Sequence, residues 1–181
     1  AHGKSTSPSF DAKLPIPGAS FVSSVCVADD MNHILYLSQE GSVVSWGEKT
    51  NPALGLESPQ TSFIQTKIES LSEKKIKSIA VANRKSAAIS EEGELFLFGK
   101  QTSKELGLSK DESSLPTRLV FEEKISKVSL SADFTCFLSE SNHLWMMGLY
   151  SSSKAASSVP VLVNELKDVE FVDIQSSESH A

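Results

Sequence analysis

Cysteine is scarce, with two residues in 181, and both lie inside apolar runs, Val25-Cys26-Val27 and Thr135-Cys136-Phe137-Leu138. A disulfide framework and a Cys-x-x-Cys metal or redox site are therefore not indicated, and each thiol reads as a small buried hydrophobe in a reducing, intracellular compartment, cytoplasmic rather than nuclear. No apolar run approaches the roughly 18 to 20 residues that span a bilayer, and the first residues lack a signal peptide's charged and apolar regions. Positive charge is also short: 17 Lys and Arg against 23 Asp and Glu give a net charge of −6. Nucleic-acid binding draws its affinity from clustered cations that release counterions, so direct binding of DNA or RNA is not expected, whereas a basic protein would be attracted. The short cationic stretches Lys74-Lys75-Ile76-Lys77 and Arg84-Lys85 read as solubility features, diluted by Glu69 and Glu73.

Catalytic signatures are missing as well. There is no His-x-x-x-His, Gly-x-Ser-x-Gly or P-loop, and His2, His33, His143 and His180 are scattered. Adjacent carboxylates occur at Asp29-Asp30, Glu91-Glu92, Asp111-Glu112 and Glu122-Glu123, but in polar turns such pairs are solvated rather than catalytic. The chain is read as no enzyme, with no cofactor and no metal.

What the sequence does contain is a repeat. Gly41-Ser42-Val43-Val44-Ser45-Trp46-Gly47 aligns with Gly93-Glu94-Leu95-Phe96-Leu97-Phe98-Gly99 and with Asn142-His143-Leu144-Trp145-Met146-Met147-Gly148. The closing glycines Gly47, Gly99 and Gly148 are 52 and then 49 positions apart. Eight residues before each opening position another apolar run starts, at His33, Lys85 and Phe134. The two runs form a hairpin whose turn ends on Gly41, Gly93 or Asn142, residue types that tolerate positive φ. Upstream lie runs of alternating polarity from Phe21, Ile76 and Ile125, and downstream lie outer strands at 63–68, 115–121 and 159–163. Period two means strand. Pro116 and Pro160 suit an edge strand, which need not donate every ladder hydrogen bond. Four short strands in about 50 residues describe one blade of a β-propeller.

After Gly47 and Gly99 the sequence continues, seven residues on, into Leu54-Gly55-Leu56 and Leu106-Gly107-Leu108. The pattern G-x-[VL]-x-x-[WF]-G followed by Leu-Gly-Leu resembles the repeat of the regulator of chromosome condensation family, as a diverged member. Glycines that precede the second strand in that family are replaced here, and Ser151 to Ser158 stand where a third Leu-Gly-Leu would fall. That serine-rich stretch reads as a surface connection. The resemblance implies an all-β, four-stranded-blade architecture and, because family propellers have seven blades, an incomplete ring whose remainder comes from a parent chain; an alternative is that two half-blades pair to give four. The expected organisation is the second half of a blade over 1–20, blade repeats over 21–75, 76–124 and 125–169, and the start of a further blade over 170–181.

Gly41, Trp46, Gly47, Gly55, Gly93, Phe98, Gly99, Gly107 and Gly148 are the expected structural positions, with the aromatic before the glycine packing between blades. Glu91, Glu92, Asp111 and Glu112 are the candidate partner-binding turns. The resemblance implies a protein-interaction scaffold or, alternatively, a guanine-nucleotide exchange factor for a Ran-like small GTPase or the regulatory propeller of a ubiquitin ligase. The expected partner is thus a protein, either a small GTPase or a basic one.

Overall fold

The computed structural model describes residues 21–28, 31–57, 63–100, 112–149 and 156–176. Among these residues twelve strands form three four-stranded antiparallel sheets. The first sheet holds β1 (Val22–Val27), β2 (His33–Ser38), β3 (Val43–Gly47) and β4 (Thr66–Lys67), in that order. β5 (Ile76–Ala82), β6 (Lys85–Ser90), β7 (Leu95–Lys100) and β8 (Glu112–Arg118) make the second, and β9 (Ile125–Leu130), β10 (Phe134–Ser139), β11 (Leu144–Leu149) and β12 (Ala156–Leu162) the third. The chain is all-β, each sheet a meander with strands in sequence order.

Three outer-strand details differ from the sequence reading. β4 shrinks to two residues, because Phe63 takes a left-handed conformation (φ 60°) and its N–H bonds the Gly47 carbonyl instead of continuing a ladder. β8 starts at Glu112, upstream of the expected Leu115. β12 starts at Ala156, so the last residues of the serine-rich stretch pair with β11 instead of looping: Ser157 opposes Gly148 and Ala156 opposes Leu149.

The middle strands explain the stacking. Every residue of β2, β6 and β10 is buried, so both faces of each sheet need a neighbour. Leu35, Leu37 and Val43 of the first sheet meet Ile79, Ala88, Phe96 and Phe98 of the second. The alternate residues of the second sheet, Ala87, Ile89, Leu95 and Leu97, point the other way and meet Phe137 and Met147 of the third. Period-two alternation thus feeds two seams at once. Cys26 donates from Sγ to the Ile79 carbonyl at 3.3 Å across the first seam, and burial pushes both Cys26 and Cys136 thiols above their ordinary range.

A closed circuit of hydrogen bonds crosses the first seam. After β3, a 3-10 turn (Pro52–Leu54) is capped by Asn51, whose Oδ1 accepts from Ala53 N–H. Ser86 Oγ donates to Ala53 O at 2.8 Å, which commits its only proton, so it accepts from His33 Nε2–H at 3.0 Å. His33 Nδ1 then accepts from Asn51 Nδ2–H at 3.3 Å, which returns the circuit to the turn. Gly55 closes the turn at φ 71°, and a Cβ there would stand 2.9 Å from the Phe98 ring. Phe98, 1% exposed, is therefore gripped by the preceding blade's loop.

Trp46, the repeat equivalent of Phe98, does not join this seam. It is half-buried, packs beside Ile34, Tyr36 and Val44 of its own sheet, and meets Phe63 with ring centroids 5.0 Å apart. The reason is the facing rule itself: the position points toward the blade before it, and for Trp46 that side is not the second sheet. Gly107 and its neighbouring leucines lie outside the described residues.

Three substitutions check the seam by chemical denaturation. Phe98→Ala is expected to cost about 3 to 5 kcal/mol, and Trp46→Ala less. Ser86→Ala is expected to cost about 1 to 3 kcal/mol, because it strands the His33 N–H and the Ala53 carbonyl in a buried site.

Candidate functional site

The hairpin turns between second and third strands share one construction. Ser38, Ser90 and Ser139 are buried, and each hydroxyl accepts from the backbone N–H four residues on, at Ser42, Glu94 and His143, at 3.1, 3.2 and 3.1 Å. The Ser38, Ser90 and Ser139 carbonyls accept from Gly41, Gly93 and Asn142. Each turn is then tied to the entrance of the next inner strand. Ile76 N–H donates to Gly41 O and Ile125 N–H to Gly93 O. At the third turn the side chain takes over: Asn142 Oδ1 accepts from Phe171 N–H at 3.0 Å, and its amide donates to Val169 O at 2.8 Å. Glycine is required at Gly93 on two counts, since φ is 84° and a Cβ would lie 2.6 Å from Lys124 Cβ.

With the backbone fixed from beneath, the acidic side chains of the turns stand outward. Glu40, Glu91, Glu92 and Glu140 are exposed. Glu92 sits below its ordinary carboxylate range, chiefly through a hydrogen bond from Ser90. The cationic stretch from Lys74 to Lys77, at the entrance of β5, is spent on this face: Lys75 Nζ lies 2.7 Å from Glu91, Lys77 Nζ 3.4 Å from Glu140, and Lys74 Nζ 2.6 Å from Glu94. Glu94 also takes Arg118 Nε at 3.0 Å. These surface pairs contribute little stability each.

Of the four candidate turn acids, Glu91 and Glu92 lie together on this face. Glu112 does not sit in a turn; it is in β8, opposite Lys100. Asp111 lies outside the described residues. The sequence reading passed over Glu94, Glu123 and His143 as a set. His143 Nδ1 is 3.1 Å from Glu123, a contact between side chains 20 positions apart that only the fold brings together. Among the described residues no cluster of His, Cys, Asp and Glu could hold a metal ion, and no helix is long and apolar enough to cross a membrane.

Stacked four-stranded meanders, the first two tied through their hairpin turns to the entrance of the next sheet, define a repeat β-propeller. Residues 92–138 match the model of the regulator of chromosome condensation (RCC1) repeat. The chain is similar to the Arabidopsis thaliana RCC1 domain-containing protein RUG3, mitochondrial (37% identical over 95 residues, 52% of this chain and 21% of that protein). It is also similar to the Arabidopsis ultraviolet-B receptor UVR8 (30% over 150 residues, 81% and 34%). Among solved structures, human WBSCR16 superposes with a TM-score of 0.73 at 18% identity, over 86% of this chain and 43% of that one. Saccharomyces cerevisiae Prp20p, described with its binding to Gsp1p and histones, gives 0.64 at 18%, over 78% and 38%. The chain is a diverged RCC1-like propeller chain, and it spans about a fifth to a third of the length of these two curated relatives.

Glu123 supplies a pH test. Burial pulls its pKa up, but hydrogen bonds from Ser139, His143 and Ser141 and the nearby His143 charge outweigh it, holding the carboxyl below its usual 4.5. A depressed folded-state pKa contributes stability that is present above the usual value and fades as pH falls through the folded one. Glu123→Gln is therefore expected to flatten the fall of stability below about pH 4.5, followed by urea denaturation at stepped pH; a slope equal to that of the unsubstituted protein would remove this role.

Proposed function

We propose that this chain is part of a protein-interaction scaffold, with blades over 21–75, 76–124 and 125–169, and that it receives a basic protein partner on the face carrying the turns at Glu40, Glu91–Glu92 and Glu140. The observation that carries this reading is the separation of labour in those turns. Buried serine hydroxyls and positive-φ residues fix the backbone from within, so the outward side chains are free to vary, and beside Gln39 and Ser141 those present are the carboxylates Glu40, Glu91, Glu92 and Glu140. The histones named with Prp20p are basic proteins, which agrees with this chemistry.

A second reading, exchange on a Ran-like GTPase, draws its support from the fold likeness to Prp20p and the Gsp1p named with it. Exchange displaces a nucleotide through protein contacts and needs no acid or base, so it is compatible with a face of turns. Acceleration of nucleotide release from Ran by the complete protein would favour this second reading; no acceleration would leave the scaffold.

Charge reversal tests the first. Glu91→Lys with Glu92→Lys is expected to slow association with purified core histones about tenfold at low salt and to flatten its salt dependence. Stopped-flow kinetics at several ionic strengths would show it, and unchanged rates would remove the acidic face from the account.

A further inference from the structure

The connections that carry the chain from an outer strand to the next inner strand begin alike. Ile68, Leu119 and Val163 each donate a backbone N–H to the start of the third strand, at Val43, Leu95 and Leu144. Ile68 and Ile76 are then eight positions apart, as are Val163 and Phe171. Both connections fold into a 3-10 turn, Glu69–Leu71 and Asn164–Leu166. In the first, Leu71 is driven into the seam and is 2% exposed.

The middle connection is shorter. Leu119 and Ile125 are six positions apart, and no 3-10 turn forms between them. Beside this shorter connection the second seam carries a cleft of about 240 Å³. Leu95, Leu119, Phe121 and Ile125 make its apolar floor. Phe121 is braced edge-on against Phe137 and Trp145, with centroids 5.3 and 4.9 Å apart, so the floor is supported from behind. Around it stand four carboxylates against two cations. Arg118 is engaged by Glu94, and Glu123 by His143. Glu92, Glu122 and Lys124 form no ion pair among the described residues, so two carboxylates stand there against one cation.

We propose that this cleft is a receptor for one arginine or lysine side chain on an extended segment of the protein partner. An apolar floor under a carboxylate rim matches the anatomy of these side chains, a methylene stem ending in a cation. The stem lies on Leu119 and Phe121, and the head group sits at Glu92 and Glu122. The proposal rests on the reading of the turn face as the surface for a basic partner, and narrows it to the second seam.

The test uses the full chain with labelled leucine and isoleucine methyls, titrated with a blocked Ala-Ala-Arg-Ala-Ala peptide and its norleucine counterpart. Saturable shifts confined to Leu95, Leu119 and Ile125 are expected, with affinity at least about tenfold lower for norleucine, as for loss of a charged hydrogen-bonding partner. Glu92→Gln with Glu122→Gln is expected to weaken the arginine peptide to a similar degree. So is insertion of Ser-Leu after Phe121, which restores the longer connection. Glu40→Gln with Glu140→Gln, on the same face but outside the cleft, is expected to change little.

Shifts spread over all three turns, or equal weakening by the Glu40 and Glu140 changes, would overturn the cleft and leave the acidic face standing. No shift with the arginine peptide at millimolar concentration would also overturn it. Confined shifts together with unchanged histone kinetics on reversal of Glu91 and Glu92 would uphold the cleft and defeat the wider reading.

Discussion

A sheet that is apolar on both faces cannot face water on either, and this constraint governs the whole chain. β2, β6 and β10 are buried at every position. A single such sheet would expose one of its two apolar surfaces, so it is stable only between neighbours. The seam is thus the unit of stability, and the hydrogen-bonded circuit through His33, Ser86, Ala53 and Asn51 is what fixes the register of the first one. Hydrophobic burial alone would let two sheets slide. A circuit whose four members each have their partner prescribed by donor and acceptor count allows one placement.

The same circuit shows where divergence has a structural cost. Lys85 stands at the repeat position of His33. A lysine has donors only and cannot accept from an amide as His33 Nδ1 does, so this circuit cannot be copied at the second seam. The aromatic group of Phe121, Phe137 and Trp145 packs at that seam. It is at this seam that the connection is two residues shorter and the surface opens.

Strand order, the hairpins and the glycine turns were legible in the sequence because they are local: alternation, a turn residue and a fixed spacing are all visible within about 20 residues. The direction in which a repeat residue faces was not. Trp46 and Phe98 are equivalent in sequence, yet only Phe98 has a described blade in front of it. Glu112 was grouped with Asp111 as a polar turn, while ladder pairing with Lys100 makes it a strand residue. The bond from His33 to Ser86 joins residues 53 positions apart, so neither residue alone carries a signal for it. The shortened connection was present as a number, six against eight, but its meaning depended on knowing that the two longer connections fold into a 3-10 turn.

On the turn face the chemistry of recognition is separated from the chemistry of folding. The ties of Gly41 and Gly93 to the next strand run through backbone atoms, and at Asn142 through a side chain that reproduces them. Nothing in that framework requires a carboxylate, so the acids there are free of a folding role except where they answer a specific cation, as Glu94 answers Lys74 and Arg118. Isolated exposed charges are screened within about 8 Å at physiological ionic strength and discriminate poorly between partners. A partner can be selected only where such charges meet a shaped apolar surface that excludes water. On the described part of this face, the second seam is where the two coincide: the missing turn supplies the shape, and the glutamates of the turn and the connection supply the sign.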